Sequence, residues 1–381
     1  MLMLLSRKRA KVRSGSGKWG TAVSPTLICL SLIFILAACD RSPVGEDEPL
    51  HGTEGMITVL LPDSISSARW ENDDRRYFEQ AFAAAGVSYN IVNANGDARL
   101  QQTQAEQAIT NGAKVLLITN LDSGSASAII AQAREAGVIV IDYDRLTIEG
   151  PGADLYVSFD NVAVGRLMTE TLEPIINSLP AEPKRIIQLN GSPTDNNATL
   201  FREGYYSVAK PYYESGQWLL VSDQPVPDWD YQQALVVVEQ ILTATNGDID
   251  AAIVGNDRLA NSVIAALKTQ GLAPIPLSGQ DATVGSIQNI LAGWQTMTVY
   301  KPIRFQAEAA VQAAIALLEG QDPASLTDET IFNGQNDIPF IRLMPLAVTA
   351  ENISQTVIAD GFRTWAEICV GEYAQYCPPN R

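Results

Sequence analysis

The amino-acid sequence predicts an α/β protein of two similar, Rossmann-like lobes, each a parallel sheet flanked by helices. Three observations lead to this. From Met56 onward, short apolar and β-branched runs alternate with longer segments in which Ala or Leu recurs at three- and four-residue intervals. Gly86, Gly112 and Gly137 each close such a helical segment just before the next strand, where a left-handed C-terminal turn is expected. Beyond residue 38 the chain still has 343 residues, more than one core usually holds.

The first 38 residues read as an export signal rather than as structure. Arg7, Lys8, Arg9, Lys11, Arg13 and Lys18 stand ahead of the apolar run 26–38, with no acidic residue among them. The run is short for a membrane span. Its tail, Leu36-Ala37-Ala38-Cys39, resembles the lipobox of bacterial lipoproteins, which implies cleavage before Cys39 and lipidation of that cysteine; an uncleaved N-terminal anchor is the alternative. Both put residues 40–381 outside the cytoplasm. Residues 40–55 are rich in Pro, Gly and acid without apolar periodicity, and read with Cys39 as a flexible tether, 39–55.

The folded part follows in two series. Strands are expected at 57–61, 89–92, 115–118 and 138–141, with helices at 72–85, 100–111 and 125–136. After Asp160, strands are expected at 186–189, 218–221, 251–254 and 275–277, with helices at 162–176, 231–243, 261–269 and 284–291. A strand at 296–300 leads into an Ala-rich helix at 303–318. Ligands of such sheets sit at the carboxyl ends of the strands, so the cleft between lobes is the expected site.

Composition excludes several classes of function. Loss of the signal removes six basic and no acidic side chains, which takes the formal charge from −17 to −23. Such a surface repels phosphate backbones and anionic lipid alike, so nucleic acid is not an expected partner and a membrane tie must be covalent. The single histidine, His51, lies in the tether, which leaves no Ser-His-Asp or Cys-His set and no zinc site in the folded part. No metal and no cofactor are expected. Cys369 and Cys377 either remain thiols or, as the compartment favours, close a small disulfide loop.

Polar residues gather at six strand ends: Asp63 to Trp70, Asp142 to Arg145, Asn190 to Asn197, Gly255 to Asp257, Ser278 to Asp281, and Tyr300 to Pro302. Asp and Asn also cap helices and favour turns, which accounts for any one cluster alone. Six at corresponding positions would converge on one cleft. Carboxylates accepting from neighbouring hydroxyls, Arg forks and Asn suit a neutral polyhydroxyl ligand. Trp70 and Trp229 stand in polar stretches unlike a core face, as rings that stack on a sugar do.

On these residues the sequence resembles the D-xylose-binding receptors of ATP-driven sugar importers, within the ribose/galactose-binding group of type I periplasmic binding proteins. The resemblance runs from about Met56 to Gly361 through YDR, SFDN, GSPTDNNATLFREG, GND, SGQDA and TMTVYKPI. It implies that Arg69 hydrogen-bonds the sugar and Trp70 stacks on it, with Trp229 on the opposite face. It implies polar contacts from Asp144, Arg145, Asp195, Asn196, Asn256, Asp281 and Lys301, with Asn197 a further candidate. It implies a three-strand hinge, with crossings near Asp160–Asn161, Tyr300–Lys301 and Asn333–Asn336. The lobes would then be 56–160 plus 301–335 and 161–300 plus 336–381. A monomer that serves a permease and its ATPase, held to the membrane by lipid on Cys39, is implied as well. The calcium loop of the galactose-binding branch is missing. Arg258 and the prolines before Trp229 depart from the family pattern. A sensory receptor would share the cleft. A glycosidase built on Asp144 and Asp281 is disfavoured, because Arg145 and Lys301 keep such carboxylates ionised.

Overall fold

The computed structural model describes residues 57–379; the signal, Cys39 and the tether lie outside the described residues. The first lobe opens with β1 (Ile57–Leu61), a π-helical turn at Trp70–Asp74 that runs into α1 (Arg75–Ala85), and β2 (Tyr89–Asn93). It continues with α2 (Ala98–Thr110), β3 (Val115–Ile118), α3 (Ser123–Glu135), β4 (Ile139–Tyr143) and β5 (Leu155–Phe159). The second lobe holds α4 (Asn161–Ser178), β6 (Lys184–Asn190), α5 (Asn196–Glu214), β7 (Trp218–Pro225), α6 (Tyr231–Thr245) and β8 (Ala251–Val254). It ends with α7 (Asp257–Thr269), α8 (Val284–Leu291) and β9 (Thr298–Tyr300). The chain then forms α9 (Ile303–Leu318), β10 (Thr330–Phe332), β11 (Asp337–Leu343), β12 (Leu346–Val348) and the short α10 (Trp365–Ile368).

The first sheet has the order β10-β11-β5-β4-β3-β1-β2 and is parallel except for the β10–β11 hairpin at its edge. Alternation along its strands explains the helices on both faces. Ile57, Val59, Leu61, Val115 and Leu117 point into a core with Phe78 and Phe82 of α1 and Val311 of α9. Leu60, Leu116 and Ile118 point the other way, against Ile129 and Ile130 of α3. The second sheet, β7-β6-β8, is extended by single parallel bridges at Ala252–Leu277 and Gln280–Val299 to the antiparallel pair β9–β12. The expected strand at 275–277 is therefore only a bridge.

The chain crosses between lobes after β5, at Lys301 after β9, and between β11 and β12. This last crossing corrects the expected one at 333–336. β11 pairs with β5 from Phe340↔Tyr156 to Leu343↔Phe159, so residues 337–343 belong to the first sheet, not the second lobe. Asn333 lies in the hairpin loop, where its Oδ1 accepts from the Gln335 and Asn336 N–H groups and its Nδ2 donates to Thr147 O. The C-terminal tail bridges the lobes instead of belonging to one. Val357, Phe362 and Ile368 share a core with Phe78 of α1 and Ile287 of α8. Cys369 and Cys377 form a disulfide that closes this tail.

Close backbone contact between α4 and α5 sets the second lobe. A Cβ on Gly165 would lie 1.9 Å from Phe201 O, and one on Gly204 would lie 2.3 Å from Val162 O. Backbone cannot give way as a flexible side chain can. Gly204→Ala should therefore cost at least the roughly 1–3 kcal/mol of an overpacked core, read as a lower urea midpoint, while Ala substitution at open Gly112, whose φ of +89° alone opposes it, costs less.

Candidate functional site

Every strand end that faces the cleft contributes to one small cavity. After β1 come Ser66, Ser67, Arg69 and Trp70; after β4 come Asp144 and Arg145. The second lobe supplies Asp195, Asn197, Phe201, Trp229, Asn256, Gln280 and Asp281, and Lys301 enters from the crossing. The lobes are shut tightly, and about 20 Å³ remains, which is room for about one water.

The helix starts explain how these side chains are aimed. Asp195 caps α5 by accepting from the Asn197 N–H at 2.9 Å, and Asn256 caps α7 by accepting from the Leu259 N–H at 2.9 Å. Capping and site duty coexist in both residues. Asp195 also pairs with Arg145 Nε at 2.9 Å and accepts from the Trp229 indole N–H at 3.1 Å. Asn256 Nδ2 donates to Ser66 O across the cleft. Asn196, the first residue of α5, is half-exposed and does not line the cavity. One residue on, roughly 100° further round the helix, Asn197 does so: its Nδ2 donates to Asp144 Oδ1 at 3.0 Å. Of these two adjacent candidates, Asn197 lines the cavity and Asn196 does not.

Both indoles line the cavity and are nearly buried. Trp70 lies under the Arg69 and Arg145 guanidinium groups, at 4.4 and 5.4 Å from its ring, and donates to Ser66 Oγ. Trp229 is seated through two glycines, because a Cβ on Gly191 or Gly255 would meet its ring at 2.0 or 3.0 Å. Its backbone is left-handed (φ 55°), a conformation that costs a non-glycine residue about 1–2 kcal/mol and so must be held by packing.

Charge in the site is arranged around Asp144. Its Oδ2 accepts from Arg69 Nη1 at 2.9 Å and Lys301 Nζ at 3.1 Å. Burial alone would raise this carboxyl, but Lys301, Arg69 and Arg145 outweigh it and hold it well below the usual range. Arg69 also grips Asp74 through two bonds of 2.7 Å. Among the described residues Asp281 has no direct ion pair: it accepts from Ser67 Oγ at 2.8 Å and Gln280 Nε2 at 2.6 Å, and burial raises it despite Lys301 and Arg69. Behind it, Asp257 is buried on Thr283 N–H, Thr298 Oγ1 and Gln295 Nε2, and is pushed up to about 7 by burial and by Asp281. The buried Gln280 Oε1 accepts no hydrogen bond from any described residue.

The sequence reading did not single out Ser66, Ser67, Phe201 or Gln280 as contacts. The serines and Gln280 lie inside the clusters it marked. Phe201 lies in α5, a helix that it did not expect, and meets the Trp229 ring edge-on at 6.3 Å.

Comparison with known proteins agrees with this geometry. Residues 57–322 match the periplasmic binding protein domain. The D-xylose-binding periplasmic protein of Escherichia coli (strain K12) is 39% identical over 319 residues, 84% of this chain and 94% of that protein. The multiple sugar-binding periplasmic receptor of Rhizobium radiobacter is 32% identical over 81% of this chain and 91% of its own length. Among solved structures, a carbohydrate transporter solute-binding protein from Chloroflexus aurantiacus, in complex with D-glucose, superposes with a TM-score of 0.75 at 29% identity, covering 83% of this chain and 98% of that one. These are sugar- and solute-binding proteins, not enzymes, and the fold here is theirs.

The loop that carries Asp144 and Arg145 is tied by Asp142, which accepts from the Thr147 N–H at 2.7 Å and Oγ1 at 2.8 Å. Burial pushes Asp142 up to about 7, although these bonds pull it down. The folded protein thus keeps a proton that the unfolded chain releases near pH ~4. This contribution to stability is fully present below about pH 4 and lost as pH rises through about 7. Asp142→Asn, which keeps the shape without a titrating group, should raise the urea midpoint at pH 8 and leave it nearly unchanged at pH 4. An equal change at both pH values would refute a titrating Asp142.

Proposed function

This chain belongs to the periplasmic binding protein family, and from that premise we propose that it is the lipid-anchored, extracytoplasmic sugar receptor of an ATP-driven importer. In this reading it binds one monosaccharide, D-xylose, in the cleft and delivers it to a membrane permease by lobe closure. The observation that carries the reading is the cavity itself: two indoles and a ring of carboxylates, amides and cations drawn from both lobes, with Gln280 Oε1 still free to accept a hydroxyl. The name and coverage of the Escherichia coli relative support D-xylose. The lipobox-like Leu36-Ala37-Ala38-Cys39 supports the anchor.

The mechanism is differential binding. Each lobe alone offers half of the contacts, so a sugar that bonds to both shifts the population toward closure. Asp281 and Gln280 are the acceptors of choice for hydroxyls, because neither is committed to a cation. Trp70 and Trp229 cover the C–H faces of the ring. A sugar that lacks one hydroxyl leaves a buried partner unpaired, at about 1–3 kcal/mol. A second reading, a receptor for hexoses or several sugars, is favoured by the names of the Rhizobium radiobacter and Chloroflexus aurantiacus proteins.

Calorimetry with D-xylose, D-ribose, L-arabinose, D-glucose and D-galactose separates these readings. D-xylose should bind most tightly; a preference for D-glucose would move the chain to the second reading, and no heat with any sugar would sink both. Asp281→Ala should weaken binding by about tenfold or more, as loss of a charge-assisted bond does. Cys39→Ser should release the protein from the membrane fraction or leave its signal uncleaved, with sugar affinity unchanged.

A further inference from the structure

Arg258 lies outside the cavity, yet it bonds directly from the second lobe to the first. Its Nη1 donates to Ser64 O at 2.8 Å and Ile65 O at 2.6 Å, both in the loop after β1. The next carbonyl, Ser66 O, accepts from Asn256 Nδ2 at 3.1 Å. Three successive carbonyls of the first lobe are thus held by two side chains from the first turn of α7. The following residue, Ser67, donates its hydroxyl to Asp281. The guanidinium of Arg258 also lies 4.8 Å from the Tyr231 ring, at the start of α6, which fixes the fork from within the second lobe.

We infer that Arg258 is a latch: a positioning residue that favours the closed form independently of ligand and so sets how long a ligand is held. The loop 64–67 has no regular structure of its own, and it carries Ser66 and Ser67 into the cavity and leads directly to Arg69 and Trp70. Asp63 ties this loop within the first lobe by accepting from the Ile65 and Ser66 N–H groups, and docking its carbonyls on Arg258 and Asn256 ties it to the second lobe as well. In an open form the same carbonyls would turn to water, so the latch bonds exist only on closure. A partly exposed guanidinium–carbonyl pair is weaker than a buried one, but a net gain of about one hydrogen bond still changes the closed-to-open ratio several-fold. The same bonds stabilise the closed form with ligand inside, so their loss speeds reopening and release. The latch acts on the site of the proposed sugar receptor and rests on that reading only for its effect on release.

The test uses the full-length protein in detergent, with Cys29 and Cys39 replaced by Ser and spin labels on Glu106→Cys in α2 and Gln240→Cys in α6. Interlobe distances are measured without and with D-xylose. Without sugar, Arg258→Ala should lower the closed-to-open ratio by about three- to tenfold, with an unchanged melting temperature. Arg258→Lys, which keeps the charge and one donor group, should fall between. With sugar, stopped-flow Trp fluorescence should show faster release by a similar factor at an unchanged association rate. Identical distance distributions in the parent and Arg258→Ala proteins would overturn the latch. If Arg258→Ala shifts the ligand-free distances while no sugar does, the latch stands and the sugar reading falls.

Discussion

A single buried carboxylate, Asp144, ties the structure of the site together. It joins four parts of the chain: Arg69 from the loop after β1, Asn197 from α5, Lys301 from the crossing after β9, and Gln306 from α9. Removing four polar groups and their charges from water is expensive unless each is paired. The arrangement is stable only as a set, because removing one partner strands the others in a dry interior. This explains why Tyr143 and Gln306 stand behind Arg69. The Tyr143 hydroxyl donates to Asp74 at 2.7 Å, and Gln306 Oε1 accepts from Arg69 Nη2 at 3.1 Å. They complete the hydrogen bonding of groups that would otherwise resist burial.

The balance of charge then identifies where a ligand has work to do. Three cations, Arg69, Arg145 and Lys301, face four carboxylates, Asp74, Asp144, Asp195 and Asp281. Three carboxylates have ion pairs. The fourth, Asp281, is held only by neutral donors and is raised by burial. A carboxylate of this kind keeps free acceptor capacity, and a neutral hydroxyl is a better match for it than a cation, which would overfill the site. The proposed sugar specificity thus follows from the odd carboxylate rather than from the number of polar residues.

Much of this was legible in the sequence, and what was missed has physical causes. β1, β3, β8, α8 and α9 coincide with the expected segments, because each is long or apolar enough for its period to dominate. α5 was not expected: Asn196, Asn197, Gly204 and Pro211 all weaken a helical pattern, and the helix is stabilised instead by packing its glycine against α4. β10, β11 and β12 were not expected either. They are short or half-exposed, and their existence depends on partners far along the chain. The third crossing was misplaced for the same reason, since only the pairing with β5 shows where the first sheet ends. At the site, nine of the ten expected sugar contacts line the cavity. Asn196 does not line it, because a one-residue choice within Asn196-Asn197 is a choice of helix face, which Asp195 decides by capping.

For the proposed opening, the topology sorts the site contacts into those made within one lobe and those made between lobes. Asp144, Arg69, Asp74 and Gln306 sit on the first lobe, and Lys301 sits on a crossing, where rotation displaces atoms least. Their bonds would persist. Asn197, Asp195, Asn256, Arg258 and Asp281 come from the second lobe, and their bonds to Asp144, Arg145, Ser66, Ser64 and Ser67 are the ones that the proposed opening would break together. Such an opening would leave the ion pairs around Asp144 intact and break the one between Arg145 and Asp195. It would release to water only groups that water can satisfy: two carboxylates, two guanidinium groups, a hydroxyl, amides and carbonyls. In this reading the free-energy difference between the two forms would be small compared with the energies inside the network. A small difference is what a binding site needs if a few hydroxyl contacts are to decide between open and closed.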